Sequence, residues 1–183
     1  MARVFLIYGS RGAGKTTTTL KLAAHLLHKG IGVGGYYQRT TTDDLERRGY
    51  DLISVRDAKR TLPLARPGGQ ESPGTSAICS FSFYRDSFAA ALGWLQHDAA
   101  TCRALVIDEV SKLEVRGEGH AQALRWALTL GDDKLLLLSV RGDQLFYVVD
   151  AFDLGSQVAG YLEIPATDAE VEDWAAQLAR LVG

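Results

Sequence analysis

Eight residues near the start of the chain, Gly9-Ser10-Arg11-Gly12-Ala13-Gly14-Lys15-Thr16, satisfy G-x-x-x-x-G-K-[ST] in full. The apolar run Arg3 to Tyr8 precedes them and a helical pattern over Lys15 to Lys29 follows. Few folds accept that order. Glycines let a backbone wrap a polyphosphate, and a helix opening behind them turns free N–H groups and a partial positive charge toward it. The motif therefore predicts a strand, a phosphate-binding loop and a helix. Gly9, Ser10, Arg11, Gly12, Ala13, Gly14, Lys15, Thr16 and Thr17 form the cradle. Lys15 reaches the β- and γ-phosphates, and Thr16 offers a hydroxyl to Mg²⁺.

The remaining pattern alternates strands and helices. Ile31 to Tyr37 reads as a second strand, whose Gly32, Gly34 and Gly35 imply a close approach by another backbone or a ligand. Tyr50 to Val55 and Arg60 to Leu64 read as an antiparallel hairpin set against the main sheet. Ala65 to Gly74, with Pro67, Pro73 and Gly68-Gly69, reads as a loop and a candidate lid. Then come an extended segment (Ile78 to Tyr84), a helix (Asp86 to His97), a strand (Ala104 to Asp108) and a polar loop. A helix from about Gly119 to Leu130, a strand from Leu135 to Val140 and a last strand from Val158 to Ile164 follow. Thr167-Asp168-Ala169-Glu170 has capping-box spacing and opens a C-terminal helix. This order predicts a three-layer α/β fold with a mainly parallel central sheet and its active groups at the carboxyl ends of the strands.

Composition narrows the function classes. Across 183 residues, 46% hydrophobic and 23% charged residues suit one soluble core, so a single domain over 1–183 is expected. A net charge of −2 supplies no positive field for nucleic acid or an anionic membrane. No apolar stretch reaches membrane-spanning length and no signal-peptide core precedes the first strand, so a cytoplasmic protein is expected. Cys79 and Cys102 lack metal-ligand spacing and read as buried or idle thiols, and His25 and His28 as solvent-facing.

The second chemical signal is Ala104-Leu105-Val106-Ile107-Asp108-Glu109, an apolar strand ending in two acids, as in a Walker B segment. Asp108 would hold Mg²⁺ opposite Thr16, with the two strands near each other in the sheet. Glu109 would face the γ-phosphate as general base toward an attacking water. A further cation is expected where charge builds on the phosphoryl oxygens. Arg11, Lys112, Arg39, Arg48 and Arg141 are the candidates, and Lys112 leads because it follows Asp108 so closely. Tyr36, Tyr37, Tyr84 and Trp94 could stack on a base but read more simply as core or rim. The chain has no asparagine, which excludes a guanine-specific N-K-x-D loop.

Gly9 to Thr17, Gly35-Tyr36-Tyr37 with Arg48-Gly49-Tyr50, and above all Asp108-Glu109-Val110-Ser111-Lys112-Leu113-Glu114 resemble the motifs of a known group. It is the thermostable-type P-loop nucleoside-triphosphatase family, which includes the cancer-related nucleoside-triphosphatases and is often described as possible nucleotide kinases. The resemblance implies a P-loop NTPase fold of RecA-like or kinase-like type and Mg²⁺-dependent hydrolysis of several nucleoside triphosphates such as ATP and GTP. In that scheme Lys15 and Thr16 hold phosphate and metal, Asp108 supports the metal, Glu109 is the base, and Lys112 and Glu114 complete the segment. Ser111, Leu113 and Gln38-Arg39 depart from the family pattern. Two alternatives stay open: a small-molecule or nucleotide kinase, and a nucleotide-binding adaptor acting through a partner protein.

Overall fold

The computed structural model describes residues 1–42, 48–68, 75–78 and 81–183. In chain order the strands are β1 (Arg3–Gly9), β2 (Val33–Thr42), β3 (Arg48–Ser54), β4 (Thr61–Pro67), β5 (Thr75–Ile78), β6 (Phe81–Tyr84), β7 (Ala104–Val110), β8 (Leu135–Arg141) and β9 (Val158–Glu163). The α-helices are α1 (Lys15–His28), α2 (Arg85–Ala99), α3 (Lys112–Val115), α4 (Ala121–Leu128), α5 (Leu145–Ala151) and α6 (Asp168–Val182).

Among the described residues, all these strands join one nine-stranded sheet in the order β5-β6-β4-β3-β2-β7-β8-β1-β9. The segment from β2 through β7, β8 and β1 to β9 is parallel throughout. Alternation along β1 sends Val4 and Leu6 to a core shared with α2, α4 and α5, and Phe5 and Ile7 to a second core under α1 and α6. Helices on both faces of the sheet make the expected three layers, and the P-loop NTPase fold with its antiparallel insertion is the architecture observed.

Two details differ from the sequence reading. The antiparallel strands are not set against the sheet. They extend it edge to edge, because β2 is parallel to β7 through Tyr36 and antiparallel to β3 from Tyr36 to Thr42. Ala65 to Pro67 belong to β4, paired with β6, so the loop expected from Ala65 begins later. Most of the candidate lid, 69–74, lies outside the described residues, as does Cys79. The loop strand and the acidic strand lie near each other as expected, with β8 between β1 and β7 and paired to both.

The glycines of β2 meet the close approach expected of them. At Gly35, φ is +94°, and a Cβ there would collide with the Val106 backbone. Its N–H donates to buried Asp98 at 2.9 Å, which ties α2 to this strand. The capping box at Thr167 is formed: its N–H donates to Glu170 Oε2 at 2.7 Å, and its hydroxyl accepts from Glu170 N–H at 3.2 Å. The short helices α3 and α5 were not expected, being only 4 and 7 residues long, too short for periodicity to register.

Candidate active site

The loop between β1 and α1 takes the shape its glycines permit. Gly12 and Gly14 have φ of +78° and +96°, so the chain coils back on itself before α1 begins. Gly14 precedes α1 without a side-chain cap, and the first turn carries no acidic residue. The opening N–H groups of α1 are thus left to an external anion. Lys15, only 5% exposed, folds back so that Nζ donates to the Ser10 carbonyl at 3.1 Å.

The two acids of β7 stand against this loop. Thr16 Oγ1 donates to Asp108 Oδ2 at 2.8 Å, and Lys15 Nζ lies 3.9 Å from Glu109 Oε2. Asp108 is fully buried and also accepts from Gln38 N–H at 3.0 Å. Burial pushes its carboxyl upward against the pull of Ser139, Gln38, Thr16 and Lys15. Burial likewise raises half-buried Glu109, and Lys15 opposes the shift. A carboxylate lifted this way is a stronger base toward water than an exposed one.

Sequence reasoning missed Ser139. Its hydroxyl, buried on β8, donates to Asp108 Oδ1 in a short bond and accepts Glu109 N–H at 2.8 Å. One oxygen therefore steadies both acids, and it holds Glu109 at φ +63°, a backbone state that costs a non-glycine residue energy. The one available signal was a lone hydroxyl in the aliphatic run Leu135-Leu136-Leu137-Leu138-Ser139-Val140.

Behind the acids lies a second polar group. Glu114, buried on α3, accepts Ser111 N–H at 2.8 Å and His120 N–H at 3.0 Å, which fixes the turn after β7. The His120 ring packs on Tyr36 and Phe88, with centroids 4.7 and 4.8 Å away, and its Nε2 is 3.4 Å from Gln38 Nε2. Tyr36 is thus core, as expected, while Tyr37, Tyr84 and Trp94 sit half-buried.

The two buried titrating groups pull stability in opposite directions. Burial raises Glu114 from 4.5 to about 7, so its contribution is complete below pH 4.5 and is lost as pH rises through 7. Burial lowers His120 from 6.5 to about 3, so its contribution is complete above pH 6.5 and is lost as pH falls toward 3. Between pH 4.5 and 6.5 the two slopes nearly cancel. His120→Phe keeps a stacking ring and removes one slope. Its unfolding free energy in urea should therefore rise by about 2–3 kcal/mol, relative to the parent, on going from pH 6.5 to 4.5. Identical pH slopes in the two proteins would refute this balance.

The candidate cations separate by position. Arg11 is exposed and donates to the Tyr50 hydroxyl at 3.3 Å. Arg39 is exposed and 3.8 Å from Asp51. Lys112 is exposed at the start of α3, where its charge reaches Asp143. Arg141 ends β8 opposite Gly9. His28 is exposed on α1 and Cys102 is buried, as expected, whereas His25 is half-buried on α1.

The donors fit Mg²⁺. Thr16 and Asp108 present hard oxygens, and among the described residues no group of three or more His, Cys, Asp or Glu gathers to hold a metal. A magnesium ion is commonly held in that way, by one or two protein oxygens with phosphate and water completing its shell.

Residues 4–157 match the family model described as NTPase. A cancer-related nucleoside-triphosphatase homolog from Mus musculus is 32% identical over 136 residues, 70% of each chain. Nucleoside-triphosphatase THEP1 from Methanopyrus kandleri is 25% identical over 122 residues, 67% of this chain and 65% of that one. The solution structure of a human cancer-related nucleoside triphosphatase superposes with a TM-score of 0.72 at 24% identity, covering 99% of this chain and 97% of that one. The matched span runs from the first residues of β1 past α5 and so holds both the phosphate-binding loop and the two acids of β7. The chain belongs to the NTPase family, alongside the cancer-related nucleoside-triphosphatases and THEP1.

Proposed function

We propose that residues 1–183 act as a single P-loop domain that hydrolyses nucleoside triphosphates with Mg²⁺, releasing the γ-phosphate of ATP, GTP and other nucleotides. The observation that carries this reading is the pairing of Lys15 with Glu109 at 3.9 Å beside the Thr16–Asp108 bond. It groups a phosphate-binding cation, a base and a metal-side pair at one strand edge. The names of the relatives support it as well, since both are called nucleoside-triphosphatases.

In this reading the backbone from Gly9 to Thr17 and the open end of α1 bind the phosphates, and Lys15 turns from the Ser10 carbonyl to the β- and γ-oxygens. Thr16, still donating to Asp108, would offer a lone pair to Mg²⁺, which when bound would neutralise charge on the phosphate oxygens. Glu109 orients a water in line with the γ-phosphorus and takes its proton. Ser139 keeps the base from rotating away.

Phosphate release measured with ATP, GTP, CTP and UTP should proceed with Mg²⁺ and stop in EDTA, without any acceptor. Binding of nucleotide with no phosphate release under either condition would overturn the hydrolase reading.

A further inference from the structure

Phosphoryl transfer builds negative charge that Lys15 alone touches from one side. The topology puts a second cation within reach. Because β8 lies between β1 and β7, its last residue, Arg141, pairs in register with Gly9, the first residue of the phosphate loop. Ser139, two residues earlier, touches both Asp108 and Glu109. Strand alternation places Arg141 on the same face one step farther out, beyond the acids and beside the cup. With Gly9, Ser10, Arg11, Asp143 and Glu163 it lines an open cavity of about 560 Å³ at the start of the loop.

The guanidinium is currently engaged elsewhere. Nε donates to Asp143 Oδ1 at 3.0 Å and Nη2 to Asp143 Oδ2 at 2.6 Å, a two-point pair on the same turn. That pair is open to water, with a third of the Arg141 side chain and half of Asp143 exposed, so it holds weakly and can be exchanged. The planar fork that fits a carboxylate at two points fits two phosphoryl oxygens equally well. The charge of Arg141 already acts on Glu109, drawing its carboxyl down against burial.

We infer that Arg141 is the second catalytic cation, handed from Asp143 to the γ-phosphoryl oxygens as the transition state forms. The part expected of Lys112 thereby passes to Arg141. This rests on the hydrolase reading above. In the step concerned, the water oxygen bonds to the γ-phosphorus and the bond from that phosphorus to the β–γ bridging oxygen breaks. The bridging oxygen keeps the electron pair, and the water proton goes to Glu109. Arg141 contributes charge and hydrogen bonds and exchanges no proton, and the products are a nucleoside diphosphate and inorganic phosphate.

The test compares Arg141→Ala and Arg141→Lys with the parent in kcat and KM for ATP, in ADP affinity, and in trapping of ADP with tetrafluoroaluminate and Mg²⁺, a mimic of the transferring phosphoryl group. Arg141→Ala should lower kcat by about 10²–10³-fold and lose the trapped complex while still binding ADP. Arg141→Lys should recover part of both, since a point charge replaces the fork. Retained ADP affinity shows that a slow variant is folded. Parent-like kcat or trapping in Arg141→Ala, with a parent that hydrolyses ATP, overturns this assignment alone. A parent that releases no phosphate overturns the hydrolase reading and this assignment with it.

Discussion

Glu109→Gln is expected to lower phosphate release by about 10²–10⁴-fold while nucleotide affinity stays close to that of the parent. Glutamine is nearly isosteric, and the bond from residue 109 N–H to Ser139 Oγ is a backbone bond that survives the change. What disappears is the proton acceptor. The amide cannot take a proton from water, and it no longer draws Lys15 across the 3.9 Å gap. A loss confined to kcat would mark a group acting only in the transition state. Parent-like turnover would remove Glu109 as the base and leave the acid pair a structural role.

Lys15→Ala should be at least as damaging, and differently so, costing about 10³-fold or more in kcat/KM with affinity and turnover both impaired. The ammonium is buried between the Ser10 carbonyl and Glu109, so its removal deletes the buried positive charge that faces both the loop and the base. A second effect follows from electrostatics. Lys15 is the strongest of the charges that hold the Glu109 carboxyl down, so without it that carboxyl rises further. The acid limb of any residual pH–rate profile should therefore move to higher pH in Lys15→Ala. Unchanged affinity, or an acid limb at the same pH as the parent, would remove Lys15 from the phosphate site.

How far the site was legible in the sequence depended on where each residue stands in the chain. The phosphate loop and the Asp108-Glu109 pair are contiguous strings flanked by the elements they require, so local pattern sufficed for them. Glu114 was reached only through the resemblance, and its buried bonds to Ser111 and His120 were not foreseen. Ser139 and the place of Arg141 beside Gly9 were hidden, because both depend on which strand enters between β1 and β7. The antiparallel strands were recognised, but their edge was not: local alternation describes a hairpin without stating which strand it continues. Short helices such as α3 and α5 leave no periodic trace, whereas α6 was announced by its capping box and its apolar stripe.

By itself the amino-acid sequence determined the alternation of strands and helices, the glycine turn that opens α1 and the acids at a strand tip, since each arises from neighbours a few bonds apart. Only the tertiary structure decided that β8 stands between β1 and β7. It also decided that one buried hydroxyl binds both acids and that Arg141 ends β8 beside Gly9. The reason is physical: strand order is selected by the burial of both faces of the parallel part of the sheet under five helices, a global balance that no short stretch of residues encodes.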